Sequence, residues 1–308
     1  MKMENLSGVK VFSLSVLNET WQIRYLLFSL TFLLYILILL TNLILIVTIT
    51  LEKALHEPMY IFLCNLCINA LYGTAGFYPR FLYEILSGSH VISYQGCYLQ
   101  IFVIYSSVMC EFLTLTGMAY DRYVAICKPL MYHSIISSQI ICKLIIFCWT
   151  FPFFTMSVTI ALSIRLTLCG SHIDKLYCEN WSIVKLSCEA TVVNNIMGFV
   201  FIIIYVGFGI LTMLSYMKLI SVCTKSREHR IKFMQTCVPH LFALINFTVT
   251  LVFDTMYSRF GTSYIPKRLR NLLALQFLII PPLFNPIIYG LKLTEIRKRL
   301  LKQCHRVK

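Results

Sequence analysis

Apolar residues fall into seven long runs, at about 25–51, 58–82, 95–126, 140–162, 192–222, 232–256 and 269–291, with short polar segments between them. A bilayer crossing needs roughly 20 mostly apolar residues. Lipid offers no partner to an unpaired backbone N–H or C=O, so each run is expected to be a helix. The expected fold is an all-α membrane protein, a seven-transmembrane helix bundle. It divides into an extracellular tail (1–24), a seven-span membrane domain (25–291) and a cytoplasmic tail (292–308). Residues 294–302 have the pattern of a short amphipathic helix after the seventh span, lying on the anionic inner leaflet. No removable leader is expected, so the first span acts as signal anchor.

An odd number of spans puts the termini on opposite sides, and the bases choose between the two orientations. With the N-terminus outside, 16 of the 27 Lys and Arg lie on the inner side, against five acids. The outer side holds 11 bases and seven acids. This asymmetry favours N-out, C-in. Two sequons in the tail, at Asn5 and Asn18, are expected to carry glycans on that outer side. A third, at Asn180, lies in an outer loop close to Cys178.

Composition agrees with the pattern. The chain has 308 residues, 58% of them hydrophobic and 13% charged, whereas a soluble domain carries about 25% charged residues. The net charge of +14 sits between apolar runs, so it reads as topology charge with membrane lipid as neighbour. Nucleic acid is not an expected partner.

Thirteen cysteines divide by side. Cys97, Cys169, Cys178 and Cys188 fall on the expected outer, oxidising side, where pairing is favoured. Four cysteines allow three connectivities. Cys178 is within reach of Cys97 at the start of the third span, and Cys169 would then close on Cys188. The Cys64/Cys67 pair has metal-like spacing but lies in an apolar span, so it reads as buried small hydrophobes. No metal site and no cofactor is expected.

The chemistry concentrates where the third run ends, at Met118-Ala119-Tyr120-Asp121-Arg122-Tyr123-Val124-Ala125-Ile126-Cys127. Asp121 and Arg122 can form a local ion pair at a helix end, and a pair that holds and releases Arg122 makes a two-state element. This stretch resembles the signature of odorant receptors, within the rhodopsin-like G-protein-coupled receptors. Further resemblances follow in order: Leu55-His56-Glu57-Pro58-Met59-Tyr60, Ser215-Tyr216, Lys232-Phe233-Met234-Gln235-Thr236-Cys237 with His240, and Pro282-Leu283-Phe284-Asn285-Pro286-Ile287-Ile288-Tyr289. The resemblance implies a coupling and switch set of Asp121, Arg122, Tyr123, Tyr216, Lys232, His240, Asn285, Pro286 and Tyr289. It implies that freed Arg122 packs against a heterotrimeric G protein of the stimulatory, cyclic AMP-raising type, at the plasma membrane of olfactory cilia. The cysteine spacing favours Cys97–Cys178 and Cys169–Cys188. Pro286 removes a backbone donor and permits a kink in the seventh span.

Two buried polar anchors stand apart from that set. Asn42 is a lone polar group in the first span, expected to bond to the second or seventh. Glu111 lies ten residues before Asp121, about 15 Å along a helix. The resemblance puts an acid here near the sodium pocket of rhodopsin-like receptors. The second-span position that usually holds Asp is Ala70, however, and the adjacent Asn69 is turned by about 100°. A two-acid sodium site is therefore not expected, and Glu111 is read as an anchor of the switch.

The outer halves of the spans are expected to enclose a cavity for a small-molecule odorant. The third span offers Ile104, Tyr105, Val108, Met109 and Phe112. The fifth offers Met197, Val200, Phe201 and Ile204, and the sixth Thr248, Leu251, Val252 and Thr255. Thr248 stands where the family usually has Tyr. This lining suits a small, mainly apolar ligand held by shape and one or two hydrogen bonds.

Other functions fit less well. No acid stands near Ile104 for an amine, and 272–289 holds no lysine for a Schiff base. No His-Glu-x-x-His or Gly-x-Ser-x-Gly motif points to an enzyme. A seven-span transporter would carry inverted repeats with broken helices, which the chain lacks. A rhodopsin-like receptor for a non-odorant small molecule is the remaining alternative.

Overall fold

The computed structural model describes residues 10–15, 20–223, 241, 244–245, 248–249, 259, 275–276 and 278–287. Five helical stretches in it are long and apolar enough to cross a membrane: Trp21–Leu51, Pro58–Ser87, Tyr94–Cys127, Ser138–Ile164 and Val192–Val222. A shorter apolar helix covers Leu278–Ile287. Most of the sixth run and the ends of the seventh lie outside the described residues.

In chain order the elements are β1 (Val11–Leu14), α1 (Trp21–Leu51), α2 (Pro58–Ala75), α3 (Tyr78–Ser87), β2 (Val91–Ser93), α4 (Tyr94–Cys127), α5 (Tyr132–Ile135), α6 (Ser138–Ile164), β3 (His172–Ile173), α7 (Asn180–Val184) and α8 (Val192–Cys223). The second run is two helices rather than one. Pro79 stands in the first turn of α3 and has no N–H to continue the ladder, so the helix stops after Ala75 and restarts at Tyr78. Gly88 closes α3 with φ +68°, a left-handed value that only glycine adopts without strain.

Helix α4 is the organising element. Its N-terminus is capped by the Ser93 hydroxyl, which accepts from the Gly96 N–H. Its 34 residues run to about 50 Å at 1.5 Å per residue. It packs against α2, α6 and α8. Ile104, Val108, Phe112, Leu115 and Met118 of α4 lie in the main core with Leu63 and Phe62 of α2. Helices α1 and α8 instead present broad apolar faces, with Leu33, Ile44, Ile203 and Leu211 exposed. In a water-soluble protein such faces would be a liability, whereas in lipid they are the solvent-facing side.

A second core closes one end of the bundle, and the all-α expectation missed what builds it. Strand β1 is the middle strand of a three-stranded sheet. It pairs antiparallel with β2, Val11 opposite Ser93, and parallel with β3, Ser13 opposite His172. Alternation along Val11–Leu14 turns Phe12 and Leu14 inward, and Phe12 stacks on Tyr94 with ring centroids 5.8 Å apart. Four residues inside a polar tail give too short a pattern to predict a strand; the partners on β2 and β3 create it. Disulfides Cys97–Cys178 and Cys169–Cys188 lie at this same end.

Candidate functional site

At the end of α4 away from the disulfides, Asp121 is buried and Arg122 donates to it, Nε to Oδ2 at 2.9 Å. A third residue completes the group. Tyr132 of α5 donates its hydroxyl to Asp121 Oδ1 at 2.7 Å. Burial, and then the Asp121 carboxylate it faces, push the Tyr132 phenol above its ordinary range. Asp121 is thus held on both oxygens, by the next residue on its helix and by the loop beyond it. Tyr216 of α8 is buried beside Ala119 and Leu219, with Tyr123 packed against the group.

Half-way along α4, Glu111 and Asn285 meet. Asn285 Nδ2 donates to Glu111 Oε1 at 2.8 Å. One turn earlier on the same helix, the Pro282 carbonyl accepts from Asn42 Nδ2 at 2.9 Å, and Asn42 also donates to Ile38 O. These contacts tie α1, α4 and the Leu278–Ile287 helix together. A further network ties α2, α4 and α6. Trp149 Nε1 donates to Asn65 Oδ1 at 2.8 Å, and Asn65 Nδ2 donates to Thr114 Oγ1 at 2.9 Å.

On the α4 face toward the disulfide end, Ile104, Val108 and Phe112 are buried, and Tyr105 and Met109 are half-buried. Met109 sulfur accepts from Thr155 Oγ1 at 3.7 Å. The α8 stripe that meets them differs from the expected one. Met197 and Phe201 are half-buried, but Val200 is 40% and Ile204 37% exposed. The inward residues are Tyr205, Thr212 and Tyr216, with the Tyr205 ring 6.2 Å from Phe112 and Thr212 Oγ1 donating to Thr116 Oγ1 at 3.1 Å. Val200 and Ile204 each sit one position before a more buried residue, Phe201 and Tyr205, and one position is about 100° of helix. Thr248 also departs from expectation. It is exposed, and its hydroxyl donates to the Leu244 carbonyl of its own helix at 2.7 Å. Lys232, His240, Leu251, Val252, Thr255, Tyr289, Asn5 and Asn18 lie outside the described residues.

These groups lie along one central helix, α4, and comparison with known proteins gives the family. The family model described as olfactory receptor matches residues 31–306. Human olfactory receptor 52D1 is 34% identical over 275 residues, covering 88% of this chain and 86% of that protein. Human olfactory receptor 4S2 is 32% identical over 303 residues, covering 97% and 96%. The chicken olfactory receptor-like protein COR6 is 33% identical over 305 residues, covering 97% and 96%. The chain belongs to the olfactory receptor family. It is an odorant-sensing G-protein-coupled receptor and a multi-pass membrane protein; the family is one of signalling receptors, not of enzymes.

In the receptor, the loop after α6 is fastened over the bundle end. The Cys178 N–H donates to Gln100 Oε1 at 2.9 Å, beside the Cys97–Cys178 bond, and Gln100 Nε2 donates to the Gly76 carbonyl. A buried Lys175–Glu179 pair at 3.0 Å stiffens the same loop. Arg259 lies over the Trp181 ring at 4.2 Å and the Phe199 ring at 4.7 Å, and donates to Asn195 Oδ1. Aromatic faces and an amide hold this guanidinium, while Asp254, its neighbour in sequence, lies outside the described residues. At Asn180, Oδ1 accepts from Ser163, and the sequon hydroxyl of Ser182 donates to Glu179.

Among the described residues lining the small cavity at Glu111 there is no second acid, and Ala70 brings no side-chain oxygen to it. The nearby hydroxyl of Ser107 donates to the Asn69 carbonyl. Tyr132, Asn65, Trp149 and Tyr205 are the functional candidates that sequence reasoning missed. Only Tyr132 carried a local signal, an aromatic just after the Pro129 turn.

Proposed function

We propose that the receptor crosses the membrane seven times, N-terminus outside and C-terminus inside, with the sixth and seventh crossings at 232–256 and 269–291. The tail is 1–24, the membrane domain 25–291 and the cytoplasmic tail 292–308, whose first part is an amphipathic helix on the inner leaflet. The disulfide end is then extracellular, and Asn5 and Asn18 carry glycans there.

A small, mainly apolar odorant enters under the loop fastened by Cys97–Cys178 and contacts Ile104, Tyr105, Val108, Met109 and Phe112 of the third span. Met197 and Phe201 of the fifth span and Leu251, Val252 and Thr255 of the sixth complete the lining. Its binding biases the Glu111–Asn285 tie, the Asn285-Pro286 kink and Tyr289, and so the hold on Arg122. Released Arg122, with Tyr123, Tyr216, Lys232 and His240, receives a heterotrimeric G protein of the stimulatory, cyclic AMP-raising type. The place of action is the plasma membrane of olfactory cilia.

One observation carries this reading. Asp121 is clamped by Arg122 and Tyr132 at one end of the same helix whose middle is tied to the seventh span. The fully exposed Leu130 beside that clamp offers an apolar contact for a partner. The test is a panel of small odorants read as cyclic AMP in cells supplied with the olfactory G protein. A response is expected from the native receptor and its loss from Arg122→Ala. A response that survives Arg122→Ala undiminished overturns the coupling role.

A further inference from the structure

The sequon Asn180-Trp181-Ser182 lies in the loop after α6, and the folded loop commits it elsewhere. Residues Asn180–Val184 form helix α7. On a helix, residues i and i+2 do not face each other, whereas on an extended chain they share one face. A glycosyltransferase recognises the Asn amide together with the hydroxyl two residues on. It therefore reads an extended sequon and not a helical one. The helical bonds reach both ends of the segment. The Ile183 N–H donates to the Glu179 carbonyl at 3.2 Å and the Lys185 N–H to the Trp181 carbonyl at 3.0 Å.

The side chains are engaged as well. Asn180 Oδ1 accepts from Ser163 Oγ of α6 at 2.8 Å, and Asn194 Nδ2 of α8 donates to the same Ser163 oxygen at 3.4 Å. Ser182 donates its one hydroxyl proton to Glu179 Oε2 at 2.6 Å. That carboxylate is buried and paired with Lys175. Between the two sequon positions, Trp181 lies under the Arg259 guanidinium. Just upstream, Cys178 is fully buried, bonded to Cys97 of α4 and held at its N–H by Gln100.

We propose that Asn180 is a conditional glycosylation site, which takes a glycan while this loop is open and is closed to it once Cys97–Cys178 forms and α7 docks. The donor is a lipid-pyrophosphate-linked oligosaccharide. Asn180 Nδ2 attacks the anomeric carbon and an N–C bond forms. The C–O bond to the pyrophosphate breaks, the pyrophosphate leaves with the bonding pair, and the amide gives up one proton. A glycan is bulky and belongs on the surface, so one on this half-buried residue keeps α7 from returning to Ser163. Occupancy of this sequon thus records whether the loop over the bundle end has closed. The inference rests on the N-out reading above, which puts the loop on the side where glycans are added.

The test follows the newly made full-length receptor in cells, read as the size lost on treatment with peptide-N-glycosidase. Asn5→Gln and Asn18→Gln remove the tail sequons, and a further Asn180→Gln assigns any remaining shift. The Asn5→Gln, Asn18→Gln protein is expected to show no shift. The same protein made in the presence of dithiothreitol, or carrying Cys97→Ser or Cys178→Ser, is expected to gain one glycan, which Asn180→Gln abolishes. The cysteine variants need not fold, because the glycan is added before folding and the readout is size alone. Protease protection of an N-terminal epitope in microsomes reads the orientation separately. A glycan on Asn180 under oxidising conditions with all cysteines present overturns the proposal. So does the lack of any shift under dithiothreitol while the epitope is protected. An epitope open to protease would instead overturn the N-out reading, and this inference with it.

Discussion

Asn285 and Glu111, 174 positions apart in sequence, share a hydrogen bond of 2.8 Å with both residues buried, 7% and 8% exposed. The bond crosses from the Leu278–Ile287 helix to the middle of α4, beside a small space that Thr74 and Ser107 also line. A buried polar group stripped of its partner costs about 1–3 kcal/mol. Asn285→Ala should therefore lower the unfolding free energy by about that amount, measured as a drop in melting temperature of the purified receptor. An unchanged melt would mean that water replaces the amide without loss.

Tyr132 restrains Asp121 from outside the membrane helix. Removing one hydrogen bond to a charged group costs the restrained state about 1.5–3 kcal/mol, and 1.4 kcal/mol is a tenfold change in an equilibrium. Tyr132→Phe keeps the ring and deletes the bond. Ligand-free cyclic AMP per receptor at the cell surface should rise by about tenfold while the basal fraction active is small. A basal signal equal to the native one would show that Arg122 alone holds Asp121.

Phe12 is fully buried in the second core, stacked on Tyr94. Large-to-small truncation of a buried Phe costs about 3–5 kcal/mol. Phe12→Ala should accordingly produce one of the larger losses of thermal stability in the chain, although it sits in the N-terminal tail. Val11→Ala, on the exposed face of the same strand, should change the melt little. Equal effects from the two would contradict the inward register of β1.

His90 gives the disulfide end a pH dependence. Burial, then the nearby Arg24 and Arg80 guanidinium groups, lower its pKa from the ordinary 6.5. A lowered histidine pKa means that the unfolded chain binds the proton more readily. Stability from this group is therefore complete above about pH 6.5 and falls as the pH drops from there toward the lowered value. Melts at pH 7.5 and 5.5 should show a decrease on acidification that is smaller in His90→Gln. An acid loss of equal size in both proteins would assign it to other groups.

Long runs of apolar residues made the spans legible, because lipid leaves one backbone solution for a segment of that length. The Asp121–Arg122 pair was legible because its members are adjacent. What stayed hidden depends on geometry that no local window contains. Tyr132 reaches Asp121 through a loop, and Trp149 meets Asn65 across two helices. Counting along the helix turns Val200 and Ile204 inward, and a difference of one residue in phase is enough to leave them exposed. Strand β1 exists only because β2 and β3 offer it edges, so its four residues carry no signal of their own.

That strand also sets an order of assembly. β1 is synthesised before either neighbour, yet it lies between them. Two membrane helical stretches must be made before β2 exists, and four before β3 does. β1 therefore waits for two helical stretches before it has one partner and for four before it has both, and until then Phe12 and Leu14 lack the core that buries them.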